Sequence, residues 1–143
     1  MDVRRVAAAD ADLAAMVAQI NSANMEIGEP FTAESLSGFV ADARNIYLVA
    51  HVGGQLAGTL HAICYQHPSG PTYVYIDEVD TDEVFRRRGV ATRLMGAVME
   101  IGRDAGASEA WLGADDGNEA AHALYRKLQP SDMDPGVIYT YKV

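Results

Sequence analysis

Three arginines, a glycine and a small residue stand together at Arg86-Arg87-Arg88-Gly89-Val90-Ala91, directly ahead of a helical run from Thr92 to Gly102. A helix start leaves its first amide N–H groups without intrahelical acceptors, and the helix dipole makes that end attractive to anions. Positive side chains beside such amides make a site suited to phosphate. A basic turn that only caps a helix has the same composition. The order of elements favours the anion site, because the β-rich segment Thr72–Thr81 precedes the loop and opens the amides at the C-terminal end of a sheet strand. That strand also carries carboxylates: alternation places Glu78 and Asp80 on one face, with Val79 and Thr81 on the other.

Those residues need a scaffold, and the rest of the chain supplies one. Val3 to Val6 reads as a short first strand. From Asp10 onward, Leu13, Met16, Val17 and Ile20 recur on one helix face, with Asp10 or Asp12 as N-cap. Asn21 to Pro30 is a loop. Thr32 caps a second helix that buries Leu36, Phe39 and Val40 and ends near Ala43. Ile46 to Ala50 is a strand, Gly53-Gly54 a hairpin turn, and Gln55 to Tyr65 the returning strand. After the turn at Pro68 to Pro71 comes the Thr72–Thr81 strand, completing an antiparallel meander. Gly106 closes the helix that begins near Ala91, with Met95 and Met99 on its core face. Ser108 to Ala114 is a buried strand, Asp115-Asp116-Gly117 a turn, and Asn118 the cap of a helix to about Lys127. Val137 to Val143 reads as a last strand. No repeat or linker interrupts this order, which predicts a single α/β domain over residues 1–143 with a mixed sheet and helices on its faces.

Composition narrows the chemistry further. The 143-residue chain has a formal net charge of −9, which argues against nucleic-acid and anionic-membrane partners and accords with a cationic one. Cys64 is the only cysteine, so no intramolecular disulfide and no thiolate metal cluster can form. His51, His61, His67 and His122 lie at no metal-ligand spacing, and no metal is expected; His51 and His61 read as polar-face strand residues. Asp10 and Asp12 interrupt the first apolar stretch, unlike a signal peptide, and no apolar run is long enough to span a bilayer. The expected location is cytoplasmic.

The loop Arg86-Arg87-Arg88-Gly89-Val90-Ala91, following its strand, resembles the Gln/Arg-x-x-Gly-x-Gly/Ala signature of the GNAT acetyltransferases. Downstream, Asn118-Glu119-Ala120-Ala121-His122-Ala123-Leu124-Tyr125-Arg126-Lys127-Leu128 resembles that family's second motif, Asn-x-x-Ala-x-x-Leu-Tyr-x-Lys. Gln129-Pro130 stands where the motif often continues with Gly-Phe. The resemblance spans nearly the whole chain and implies a GNAT fold, with a mostly antiparallel sheet of about six to seven strands and about four helices.

It also implies acetyl-CoA as cosubstrate and an acetyl transfer to a primary amine. The amides of Arg88, Gly89, Val90 and Ala91, with Thr92 beside them, would then hold the pyrophosphate. Gly89 would keep the approach open or supply a positive φ. Arg86, Arg87 and Arg93 would either add charge for the phosphates or stand solvated. Backbone groups of Val79, Asp80 and Thr81 would pair with the pantetheine arm as an added strand does. Asn118 matches the residue that contacts the pantetheine, and is equally a helix cap. Tyr125 matches the position that protonates the leaving thiolate; a phenol of pKa near ~10 can do this and recover its proton from solvent. The acceptor must lose a proton before it attacks, and Glu78, or secondly Asp80, would take it directly or through water.

Within the family, the runs Tyr75 to Val79, Phe85 to Thr92 and Gly113 to Leu128 are similar to the aminoglycoside 3-N-acetyltransferases. Glu78 falls where those enzymes carry an Asp. Polycationic acceptors would suit Asp77, Glu78, Asp115 and Asp116, and the likeness extends to an antibiotic-resistance role. A homodimer through Val137 to Val143 would accord with family habit. The competing readings are acetylation of another small amine or a protein N-terminus, and a non-catalytic acyl-CoA-binding module.

Overall fold

In the computed structural model, which describes residues Met1–Val143, the chain runs β1 (Asp2–Arg5), α1 (Leu13–Ser22), α2 (Ala33–Ala41), β2 (Asn45–Val52), β3 (Gln55–Gln66), β4 (Thr72–Thr81), a short 3-10 turn (Glu83–Phe85), α3 (Val90–Asp104), β5 (Glu109–Trp111) and α4 (Glu119–Lys127). Local chemistry fixes most of these boundaries. Thr32 and Ser35 form a reciprocal capping box at the start of α2. Gly53 and Gly54 turn the β2–β3 hairpin with φ of 59° and 80°. Asp12 precedes α1 without a side-chain capping bond, because both carboxylates are engaged elsewhere. Arg4 donates to Asp10 and to Asp12 at 2.7 Å each, and the Ala7 amide donates to Asp10 at 2.9 Å.

The sheet order is β1-β2-β3-β4-β5, antiparallel except for the parallel β4–β5 pair. This is the expected class, an α/β fold with a mixed sheet and four helices, but with five strands instead of six to seven. Val137–Val143 forms no strand: Val137, Ile138, Tyr139 and Tyr141 are exposed and no ladder pairs them. Apolar alternation without a neighbouring ladder does not hold a strand in water. β5 is also shorter than Ser108–Ala114, with only Tyr73–Tyr75 of β4 pairing against it.

The chain divides into two compact units, Met1–Gly113 and Ala114–Val143. In the first, helices cover both faces of the sheet. α3 buries Val90, Leu94, Met95 and Val98, each fully buried aliphatic side chain contributing about 1.5–3 kcal/mol. Met99, expected in that stripe, is 40% exposed. On the opposite face Leu13, Met16, Val17, Ile20 and Leu36 pack with Tyr47, Val49 and Leu56. No helix is long and apolar enough to cross a membrane. The second unit contains α4, capped by the Asn118 side chain, which accepts from the Ala121 amide at 3.1 Å.

Two register shifts matter for function. Ala50 pairs with Gly58 but His51 with Leu56, leaving Ala57 as an extra residue in β3. His61 pairs with Glu78 but Ala62 with Ile76, leaving Asp77 as the extra residue in β4.

Candidate active site

A bulge redirects the side chains beside it. Strict alternation along β4 would send Asp77 away from Glu78; with Asp77 as the extra residue, both converge on His61 of the neighbouring strand. His61 Nε2 lies 2.6 Å from Asp77 Oδ2, and its Nδ1 lies 3.5 Å from Glu78 Oε2. Tyr75 donates to the other Asp77 oxygen at 2.9 Å. Burial opposes ionisation of Asp77, but the bonds from Tyr75 and His61 outweigh it and hold its pKa below the ordinary value.

Glu78 goes the other way. Partial burial disfavours its charge, the hydrogen bond with Asp80 favours the protonated form, and Asp80, Asp77 and Glu26 add like-charge repulsion. Together they push its pKa from 4.5 up to about 7. A carboxylate poised there exchanges protons readily near neutral pH. On β2, Tyr47 is buried and bonded to Thr59, and its phenol is pushed up to about 12, chiefly by burial and further by Glu78 and Asp80. Tyr47 thus stays a neutral phenol beside the acidic group.

His61 and Tyr47 line a cavity of about 370 Å³, whose other walls include Phe31, Phe39, Leu36 and Glu29. The His61 and Tyr47 rings stack within 10° of parallel, and Phe39 meets His61 edge-on at 83°. The loop between α1 and α2 that forms one wall is tied to the end of β4. Buried Asp82 accepts from the Asn24 amide at 2.8 Å and from the Val84 amide at 3.0 Å, while the Asn24 side chain donates to Glu83 at 2.6 Å.

Beyond the 3-10 turn the chain enters α3 through two left-handed residues, Arg87 (φ 61°) and Gly89 (φ 79°). The positive φ at Gly89 is the conformational demand read from the sequence; glycine meets it without the penalty other residues carry. The first backbone bond into the helix runs from the Arg93 amide to the Gly89 carbonyl at 3.0 Å. The amides of Val90, Ala91 and Thr92 lie ahead of it and have no intrahelical acceptor. The guanidinium groups are less uniform than their sequence suggests. Arg88 lies over the Phe85 ring at 5.5 Å, Arg86 stands 3.5 Å from Glu83, and all three loop arginines are exposed.

Because β5 pairs only with Tyr73–Tyr75, no strand of the sheet pairs with Val79, Asp80 and Thr81 on that side of β4. Their other side bonds to β3, where Thr81 faces Gly58 and Val79 faces Leu60. Gly58 allows this closeness: a Cβ there would lie 2.5 Å from the Asp80 carbonyl oxygen and 2.7 Å from Val90.

In the second unit Asp115 and Asp116 lie exposed in the turn before α4, and the Asp115 carbonyl bonds His122 Nε2 at 3.0 Å. Asn118 is the cap of α4, and Tyr125 is half-buried on that helix. Gln129, at the position where the family motif often has glycine, adopts φ 56°. Throughout the chain no group of three or more His, Cys, Asp or Glu side chains could hold a metal ion.

The structure thus brings Asp77, Glu78 and Asp80 together, and sets Arg86 to Thr92 one short turn beyond them in the chain. It adds His61 and Tyr47, to which sequence reasoning gave no functional role, and shows Asp82, one of the carboxylates that reading offers to a cationic acceptor, buried and accepting from backbone amides. The Gly53-Gly54 hairpin could have suggested the partner of Tyr47, but an unbulged hairpin pairs Tyr47 with Leu60, and the Ala57 bulge moves it to His61.

Comparison with known proteins bears on the family and the fold. The family model described as Acetyltransferase (GNAT) family matches residues 14–129. No curated protein matches the sequence. Among solved structures, an aminoglycoside acetyltransferase from an uncultured soil metagenomic sample, in complex with trehalose, superposes with a TM-score of 0.82 at 18% identity. The match covers 99% of this chain and 95% of that one, and the same values hold for that acetyltransferase in complex with sisomicin. Another aminoglycoside acetyltransferase from an uncultured soil metagenomic sample gives 0.80 at 24% identity, covering 99% and 98%. A ribosomal-protein-alanine N-acetyltransferase from Brucella melitensis biovar Abortus 2308 gives 0.72 at 18%, covering 99% and 100%. At these identities the likeness is one of fold.

Proposed function

We propose that this chain, which belongs to the acetyltransferase (GNAT) family, transfers the acetyl group of acetyl-CoA to a primary amine of a small cationic acceptor, directly and within a ternary complex. The observation that carries the reading is Glu78. It is a carboxylate with its pKa pushed up to about 7, 3.5 Å from the cavity-lining His61, on the strand that leads into the Gly89 loop.

Each residue has a role in that reaction. The amides of Arg88 to Thr92 receive the pyrophosphate at the start of α3, and Arg86, Arg87 and Arg88 add positive charge around it. The unpaired side of Val79, Asp80 and Thr81 accepts the pantetheine amides as an added strand. Glu78 takes a proton from the acceptor nitrogen, with Asp80 sharing its proton and tuning its basicity. Tyr125 protonates the departing thiolate and is restored from solvent. Asn118 has its side-chain oxygen committed to capping α4 and offers its amide N–H₂ to the pantetheine.

For the acceptor, an aminoglycoside amine at the 3-N position is the first class to test. Support comes from the motif resemblance, the fold shared with two aminoglycoside acetyltransferases, and the carboxylates Asp77, Glu78 and Asp80. Asp115 and Asp116 are assigned to the same acceptor. A second reading rests on the cavity, whose walls include Phe31, Phe39, Tyr47 and Leu36. Such a lining favours an amine with an apolar or aromatic body over a fully hydrated amino sugar. Thiol release from acetyl-CoA, measured against a gentamicin-type compound, a set of arylalkylamines and a peptide panel, separates these acceptors. Turnover of other amines with none on any aminoglycoside overturns the named acceptor. Tyr125→Phe and Glu78→Gln should leave coenzyme A affinity unchanged while turnover falls ~10²-fold or more. Retained turnover in both variants would remove them from the mechanism.

A further inference from the structure

Acetyl transfer from a thioester to an ammonium takes two protons from the acceptor nitrogen. One leaves before attack, to free the lone pair, and the other leaves after the C–N bond has formed. A single carboxylate holds one proton at a time. Glu78 can serve both steps only if the first proton moves on before the second arrives, and a neighbouring group is placed to receive it.

Resting on the acyl-transfer reading above, we propose that His61 is a relay residue: it stores the first proton from Glu78 so that the same carboxylate can take the second. The geometry supports this at both ring nitrogens. Asp77 is held ionised by its bonds and can only accept, so the 2.6 Å contact is a bond donated by His61 Nε2–H to Asp77 Oδ2. That bond fixes the tautomer and leaves an unprotonated Nδ1 3.5 Å from Glu78 Oε2. The separation is too long for a hydrogen bond as it stands. Rotation of the Glu78 carboxylate would close it.

The ring is also held in plane. Tyr47 stacks on it with centroids 6.4 Å apart, and Phe39 abuts it edge-on at 6.0 Å. The groups that set the local charge come from several elements: Asp77 and Asp80 on β4, Glu26 on the α1–α2 loop, and the neutral Tyr47 phenol on β2.

The proton balance closes. An N–H bond of the ammonium breaks and an O–H bond forms on Glu78; that proton passes to His61 Nδ1, giving imidazolium and restoring the Glu78 carboxylate. The neutral amine attacks the thioester carbon, and Glu78 takes the second proton from the nitrogen. The leaving thiolate receives one proton from the enzyme's acid. When product leaves, His61 gives its Nδ1 proton to water through the cavity it lines and returns to the starting tautomer, and Glu78 likewise deprotonates to solvent. With the acid reprotonated, the net release is one proton per turnover.

The distinguishing experiment varies the acceptor as well as the enzyme. His61→Gln keeps an N–H donor for Asp77 but cannot store a proton. Transfer to an alkylamine that is protonated in solution should fall ~10²-fold. Transfer to a weakly basic amine, already neutral at the assay pH, should fall less than about tenfold, because only one proton then has to be removed. Glu78→Gln should slow both acceptors alike. Asp77→Asn, which keeps the ring but removes its counter-charge, should reproduce the His61→Gln pattern more weakly and guards against a folding defect in that variant. Equal losses on both acceptors in both His61→Gln and Asp77→Asn would overturn the relay and leave His61 a structural residue. A wild-type enzyme without activity on any amine would instead overturn the acetyl-transfer reading beneath it.

Discussion

Glu78 has opposite consequences for stability and for chemistry. Its folded pKa of about 7 lies above the ordinary 4.5, so between those values the folded chain binds a proton that the unfolded chain has released. Stability therefore falls as pH rises through that window, and above about pH 7 the full cost of a half-buried charge among acidic neighbours is present. Glu78→Gln removes the ionisation. Its melting temperature should exceed the wild type's above pH ~7 and approach it below pH ~4.5. Over the same range kcat/KM should fall ~10²- to 10⁴-fold and lose the rising limb near pH ~7. Thermal melts and transfer rates across pH check both halves, and identical melting curves at high pH would mean that the charge costs nothing. Sequence reading reached Glu78 and Asp80 because alternation on a strand is a backbone property. The direction of Asp77 depends on a bulge, and the part played by His61 depends on two of them, which no local residue pattern announces.

At the scale of elements, β3, β4 and α3 meet at Gly58. A methyl group there would sit 2.5 Å from the Asp80 carbonyl oxygen and 2.7 Å from Val90 Cγ1. The second contact could relax by a side-chain shift, but the first involves strand backbone and cannot yield without moving β4. Gly58→Ala should therefore cost about 1–3 kcal/mol, the usual range for overpacking. It should also displace both Asp80 and the first turn of α3, so that KM for acetyl-CoA rises along with the loss of stability. Denaturant melts and donor-saturation curves measure the two effects, and an unchanged stability would show that the strands can separate there freely. Turns and caps were legible beforehand because their chemistry is short-range: Gly53-Gly54, Thr32, Gly89 and Asn118 all act where their residue types suggested. The tail was misread for the converse reason. Val137–Val143 has the apolar alternation of a strand, but strand formation needs a neighbouring ladder, and the segment is irregular and exposed. A dimer built on a C-terminal strand loses that premise.

Across the whole molecule, charge is unevenly distributed. The net charge is −9, yet Arg86, Arg87, Arg88 and Arg93 fall within eight consecutive residues. Carboxylates gather instead around the cavity side of β4, with Asp77, Glu78 and Asp80 on the strand, Glu26 acting on Glu78 from the α1–α2 loop, and Glu29 in the cavity wall. An acidic field around the cavity steers cations toward it, and the effect grows with the number of charges on the cation. Raising ionic strength from about 0.01 M to about 0.15 M shortens the Debye length from roughly 30 Å to roughly 8 Å and removes most of that long-range attraction. With acetyl-CoA saturating, kcat/KM for a polycationic amino sugar should therefore fall as salt is added. The value for a monocationic arylalkylamine should change much less, because its capture depends mainly on the apolar walls of the cavity. Measuring both acceptors along one salt series uses the whole charge distribution as the probe. Parallel salt dependences would show that the acidic surface does not select the acceptor, and would leave that selection to the aromatic cavity.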